Sequence, residues 1–130
     1  MTQAYLIEYR DRRRDLGWLT DQLEALKNTS VSAPRLTGTP TAHSGGSPVE
    51  QIILRAEALA EKYKSELAAL LAMREEIEAA IEDLEPAEKS VIRLRYLDGE
   101  SWAFVERSIG YEWAQTHRIH SRALEKIRNK

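Results

Sequence analysis

The residues best suited to chemistry are positively charged side chains near the end of the chain. Residues 113–130 contain five bases and one acid, whereas residues 49–84 contain nine acids and four bases. The five bases are Arg118, Arg122, Lys126, Arg128 and Lys130. Charge separated in this way is typical of a protein that presents one face to a polyanion. The alternative is a solvated helix end, since cations are favoured at helix C-termini, and the charges alone leave both interpretations open.

The histidines and the potential nucleophiles of the chain give weaker indications of function. His117 and His120 stand three residues apart, which on a helix would suit a metal pair, but the only other histidine is the distant His43. We therefore interpret the histidines as surface polar residues and expect no metal and no cofactor. The chain has no cysteine, no glycine-rich phosphate loop and no nucleophile motif, so we predict that it is not an enzyme.

The composition favours an all-α protein. The chain has 130 residues with only six glycines and four prolines, and Ala, Leu, Glu, Lys and Arg dominate. No apolar run has the length of a membrane span, and no signal-peptide core follows the basic N-terminal residues. We therefore expect a cytoplasmic protein.

The first two thirds of the chain predict a long helical hairpin. Residues 1–28 carry apolar residues at alternating spacings of three and four, which indicates a coiled-coil-like helix. Residues 29–47 are rich in Ser, Thr, Gly and Pro and are predicted to be a linker. Residues 48–84 are predicted to form a long amphipathic helix. The capping sequence Ser47-Pro48-Val49-Glu50 marks its start. This helix must bury its apolar stripe against the first helix, a second copy of the chain, or both.

The first helix also contains the cluster Arg12-Arg13-Arg14. These side chains could touch nucleic acid, although pairing with Asp11 and Asp15 is the simpler interpretation.

Residues 85–130 predict three further helices. Pro86 starts a helix that ends at Asp98-Gly99, and Ser101 caps a second helix over 102–109. Gly110 then provides a turn into a last helix over 112–127, with Ile119, Ala123 and Ile127 on its buried side. Two short helices joined by a glycine turn form a helix-turn-helix, which places its second helix in a DNA groove.

At these positions the chain resembles region 4 of bacterial sigma factors, and more closely the sigma-like domain of small phage transcriptional regulators of the RinA and ArpU type. The matching residues are Leu84, Val91, Leu94-Arg95-Tyr96, Gly99, Ser101-Trp102, Val105, Ile109-Gly110 and residues 122–127. The resemblance implies a regulator in the cytoplasm of a bacterial host that binds double-stranded DNA through its last helix. It also implies that Trp113, Ala114, His117 and Arg118 face the major groove.

The residue types allow these assignments to be extended along the helix. Arg118 could fork to a guanine edge or grip a phosphate, and Gln115 could hydrogen-bond adenine if it points outward. Arg122, Lys126 and Arg128 suit phosphate oxygens, and Ser121 belongs to the same outer side.

Two other functions fit the same sequence. In the first, the protein is an interaction module that docks on RNA polymerase or forms oligomers without binding DNA, which Glu106, Trp113 and the acidic second helix favour. In the second, it is a component of phage DNA packaging similar to small terminase subunits, which also join helix-turn-helix units to oligomerising helices. In each case we expect a homo-oligomer, of a size that the sequence does not fix.

Overall fold

The structure, a computed structural model, describes residues 1–32 and 47–130, with side chains described outside residues 30–46. The described residues form five α-helices and one π-helical turn, without a β-strand, which confirms the all-α fold class. The elements are α1 (Gln3–Ser32), α2 (Pro48–Ile81), α3 (Pro86–Ile92), the π-helical turn (Arg93–Leu97), α4 (Trp102–Ile109) and α5 (Trp113–Arg128). In these described ranges no helix is long and apolar enough to cross a membrane.

The chain divides into two compact units. The first unit combines Met1–Arg14 with Ala69–Lys130, and the second comprises Asp15–Ala68. The predicted boundaries at residues 28 and 84 do not coincide with these units, because the start of α1 hydrogen-bonds to the C-terminal helices. Gln3 Nε2 donates to Tyr96 Oη at 3.2 Å, and the N-terminal ammonium donates to the Ile127 carbonyl oxygen at 3.3 Å.

Helices α1 and α2 lie side by side as a hairpin within each unit. In the first unit Tyr5 Oη donates to Glu76, and Arg12 Nη1 lies 3.5 Å from Met73 Sδ, so the helices run antiparallel. In the second unit Leu23 and Leu26 of α1 line a depression together with residues of α2. The predicted hairpin is therefore confirmed. Leu6 of α1 and Ile81 of α2 are both completely buried in the first unit.

The segment between α1 and α2 differs from the prediction at its start. Helix α1 continues to Ser32 instead of ending at residue 28. Near this end of the helix, Thr29 Oγ1 donates to the Ala25 carbonyl oxygen at 2.8 Å. The rest of the predicted linker, residues 33–46, lies outside the described residues. The predicted cap of α2 is confirmed, since the Glu50 amide donates to Ser47 Oγ at 3.1 Å and the Ser47 amide donates to Glu50 Oε2 at 3.3 Å.

The helix predicted over residues 86–97 is two elements instead of one. Helix α3 ends at Ile92, and the π-helical turn closes with a bond from the Asp98 amide to the Arg93 carbonyl oxygen at 2.8 Å. The adjacent side chains of Tyr96 and Leu97 in this turn are both buried. The apolar pattern of this segment did not predict the turn.

The last three helices pack as the glycine-turn pattern predicted. Val91 of α3, Val105 of α4 and Ile119 of α5 form one buried cluster. Ser101 Oγ accepts the Phe104 amide at 3.2 Å, and Gly110 ends α4 with φ at 78°, a left-handed conformation that glycine adopts without strain. Helices α4 and α5 therefore form a helix-turn-helix that leaves one side of α5 exposed.

Candidate nucleic-acid interface

The residues that α5 buries determine which side of the helix faces outward. Ile119, Ala123 and Ile127 recur every four residues and are almost completely buried. Thr116 joins them, and its hydroxyl donates to the Tyr111 carbonyl oxygen at 3.3 Å. The opposite side forms a shallow depression of about 700 Å³. We call it the α5 face, and its lining residues are Trp113, Ala114, Gln115, His117, Arg118, Ser121 and Arg122.

The α5 face contains seven of the nine residues proposed from the sequence to contact DNA. Lys126 and Arg128 do not line the depression. Arg128 is exposed at the end of α5, whereas Lys126 is engaged elsewhere.

Two guanidinium groups provide the charge of the α5 face. Arg118 and Arg122 are both exposed and lie one helical turn apart. Arg118 Nε donates to the Ala114 carbonyl oxygen at 3.3 Å. A guanidinium carries five N–H donors, so this single bond leaves the group able to fork to a base edge or a phosphate.

An aromatic stack supports the beginning of α5. The His117 ring lies 4.3 Å from the Trp102 ring and 4.3 Å from the Trp113 ring, measured between centroids. Trp113 is 63% exposed, so its ring adds apolar surface beside the two arginines. The sequence contains a signal for this stack, because Trp113 and His117 are four residues apart on one helix. The buried His117 Nε2 has no hydrogen-bond partner within the described part of the chain.

The interpretation of both histidines as surface residues is wrong for His120. This side chain is only 7% exposed, and its Nε2 lies 2.7 Å from Tyr96 Oη. Its ring also meets Trp102 edge-on at 4.8 Å. Burial, helped by the charges of His117 and Arg95, lowers the pKa of His120 to about 4. The imidazole is therefore neutral near pH 7, accepts a hydrogen bond from the tyrosine hydroxyl, and ties α5 to the π-helical turn.

Lys126 is paired with a buried carboxylate of α3 and does not line the α5 face, so its contact with phosphate stays a prediction. Its Nζ lies 2.8 Å from Glu88 Oε1, and Glu88 is only 3% exposed. The same oxygen accepts the Glu85 amide at 3.0 Å at the start of α3. A buried carboxylate at this position needs its cation, because an unpaired charge in the interior is costly.

Replacing Lys126 by methionine should therefore lower the stability of the fold. We expect a loss of about 1–2 kcal/mol in the free energy of unfolding, a modest value because the lysine itself is half exposed. Urea unfolding of the variant measures this loss, and adding Glu88→Gln should restore part of it. A variant as stable as the parent would show that the pair of Lys126 with Glu88 does not contribute to the stability of the fold.

Comparison with known proteins identifies the family of this chain. Residues 11–129 match a family described as "Protein of unknown function (DUF722)". The chain belongs to this family. The matched range includes all five helices at least in part, and it contains every residue of the α5 face. No curated protein and no solved structure matches the chain.

Proposed function

We propose that this DUF722 protein binds double-stranded DNA through the α5 face and acts as a phage-type transcriptional regulator. The observation that carries the proposal is the convergence of Arg118, Arg122 and the exposed Trp113 on one side of the helix that follows the Gly110 turn. Nucleic-acid interfaces combine cations for phosphates and base edges with flat apolar groups for contact with bases.

The geometry of the helix pair supports the major groove as the binding site. In a helix-turn-helix, the second helix enters the groove and residues near its N-terminus contact base edges. Trp113, Ala114 and Arg118 occupy the first turns of α5 and are exposed. Ala114 and the Trp113 ring can contact a thymine methyl group, while Arg118 supplies the donors that distinguish guanine.

The role in transcription rests on the resemblance of residues 84–128 to sigma-like phage regulators. In such a regulator the same domain would also contact RNA polymerase. Capture of polymerase by the purified protein, without any shift of DNA, would favour the interaction module over the DNA-binding regulator.

Selection from a pool of random duplexes tests DNA binding without knowledge of the target. The full-length protein should enrich a defined sequence, with affinity that falls steeply as salt increases. With Arg118 and Arg122 each neutralising a phosphate, or one phosphate and one base, the logarithmic salt slope should be about −1 to −2 or steeper. Failure to enrich any sequence, together with no binding at low salt, would reject the proposal.

A second copy of the chain is the proposed partner of the second unit. There α1 and α2 present an apolar depression of about 470 Å³, lined by Leu23, Leu26, Lys27, Ile52, Ile53, Ala56, Glu57 and Ala60. Ile53 is 47% exposed beside this depression, and Lys27 and Glu57 place opposite charges on its rim, which suits self-complementary association.

Light scattering of the intact protein tests this association. We expect a dimer that dissociates when Ile53 is replaced by glutamate, because a charge would then enter an apolar contact. The matched variant Glu61→Gln, on an exposed position of the same helix, should remain dimeric. A monomeric parent protein would contradict the association, and a ring-sized oligomer would favour the packaging component.

A further inference from the structure

Four arginines converge at a second place in the first unit, away from the residues of the α5 face. They surround a depression of about 410 Å³ beside the loop that joins the π-helical turn to α4. We call it the arginine pocket, and its lining residues are Arg10, Arg13, Arg14, Arg95, Asp98 and Gly99.

Main-chain carbonyl groups hold two of these arginines in place. Arg13 Nη1 donates to the Asp98 carbonyl oxygen at 3.1 Å, and Arg95 Nη1 donates to the Glu100 carbonyl oxygen at 2.9 Å. Gly99 stands between these carbonyl groups with φ at 72°. Neutral carbonyl groups orient the guanidinium groups but do not cancel their charge.

The pocket has an excess of positive charge. Asp11 Oδ1 lies 3.5 Å from a guanidinium nitrogen of Arg10 and 3.5 Å from one of Arg14, and Asp98 lines the depression. Of the residues that line the depression, four are arginines and one is an aspartate. Burial, followed by repulsion from the charge of Arg10, lowers the pKa of Arg95. An anion in the depression would relieve this repulsion.

Side-chain contacts join the arginine pocket to the α5 face. Arg95 Cζ lies 4.8 Å from the centre of the Trp102 ring, which in turn stacks on His117 of the α5 face. The pocket also adjoins the start of α4. In a helix-turn-helix the first helix crosses the phosphate backbone that borders the groove occupied by the second helix.

We propose that the arginine pocket binds a backbone phosphate of the same duplex whose bases contact the α5 face. This inference rests on the proposed function and adds to it a sequence-independent contact beside the groove. Arg10 and Arg13 supply charge to this phosphate, while Arg95 is a positioning residue that links the pocket to Trp102. A phosphate contact of this kind raises affinity for every sequence and fixes the orientation of the protein on the duplex.

The double substitution Arg10→Gln and Arg13→Gln tests the phosphate contact in the full-length protein. Affinity for the enriched duplex should fall about tenfold, and the logarithmic salt slope should become shallower by about 1 to 2. The ratio of affinities for enriched and scrambled duplexes should not change. Restoring charge with Arg10→Lys and Arg13→Lys should recover most of the salt slope.

Arg12 offers a matched control on the same helix. Its Nη1 lies 3.4 Å from Glu8 and 3.5 Å from Met73 Sδ, and it does not line the arginine pocket. Arg12→Gln removes the same charge as either single pocket substitution but removes it from outside the pocket, so it should alter the salt slope by much less. Circular dichroism and urea unfolding identify any variant whose binding falls because its fold is lost.

Neutral methylphosphonate linkages locate the contact on the duplex. A methylphosphonate at one or two positions of the duplex outside the enriched bases should weaken binding of the parent protein several-fold. The same linkages should have no effect on binding of the Arg10→Gln, Arg13→Gln variant.

If the parent binds DNA but this variant retains its affinity and salt slope, the pocket proposal is overturned while the α5 proposal stands. If the parent binds no DNA, both are overturned. If only inorganic phosphate binds the pocket, detected by calorimetry, while duplex affinity is unchanged in the variant, the contact with DNA is likewise rejected.

Discussion

Replacing both Arg118 and Arg122 by alanine is expected to weaken binding to the enriched duplex by about 100-fold or more, with the fold intact. A well-placed arginine contact to a base or phosphate is worth about 1–3 kcal/mol, and two such contacts combine to this loss. Neither side chain contributes to the buried core, since both are exposed on α5. Fluorescence anisotropy with labelled duplex measures the affinity, and urea unfolding measures the stability.

Two controls distinguish the effect of where the arginine charge lies from the effect of how much charge is removed. Arg55→Ala and Arg74→Ala together remove two exposed arginines from α2, so the net charge changes equally, and binding should remain close to that of the parent. Arg118→Lys retains the charge but loses the planar fork, so it should lower discrimination between sequences more than the salt slope. Equal losses for the α2 and α5 pairs would contradict a specific α5 interface.

Acid should destabilise the protein through His120. The pKa of this buried imidazole is about 4 in the folded chain, against about 6.5 when unfolded, so the unfolded chain binds more protons between these values. Above about pH 6.5 His120 does not lower the free energy of unfolding. That free energy falls as the pH decreases from about 6.5 towards about 4. The difference in the pKa of His120 between the two states corresponds to a loss of about 3 kcal/mol in the free energy of unfolding. Urea unfolding at several pH values over this range measures the loss.

The contribution of His120 can be separated from that of the carboxylates with a substitution that does not titrate. His120→Gln should be less stable than the parent near pH 7, because the hydrogen bond to Tyr96 is altered, but its stability should change less as the pH falls. The difference between the two pH profiles therefore isolates the imidazole. Parallel profiles for parent and variant would show that His120 does not carry the acid sensitivity.

The helix-turn-helix was predictable from the sequence because its signals are local. Ser101 caps the helix that follows it, and Gly110 takes the positive φ that the turn requires. Periodicity then placed Ile119, Ala123 and Ile127 in the core, and the outward side of α5 followed by exclusion. These signals act within a few residues, so a single sequence displays them.

The features that the sequence did not reveal depend on contacts between distant residues. His120 counts as polar in an apolar pattern, and its partner Tyr96 is 24 residues away. The role of Lys126 depends on Glu88, which is buried although its residue type is normally exposed. The arginine pocket joins Arg10 of α1 to Arg95 of the π-helical turn, and nothing in their local sequence indicates that they meet. Such pairs are determined by packing, which overrides local preference.

Nuclear magnetic resonance of the nitrogen-15-labelled full chain, titrated with the enriched duplex, tests the α5 interface most directly. The Trp113 indole N–H and the Nε–H groups of Arg118 and Arg122 should shift on binding, whereas the Nε–H group of Arg74 on α2 should not. Saturation of the protein with duplex while the three α5 signals remain unchanged would contradict DNA binding through the α5 face.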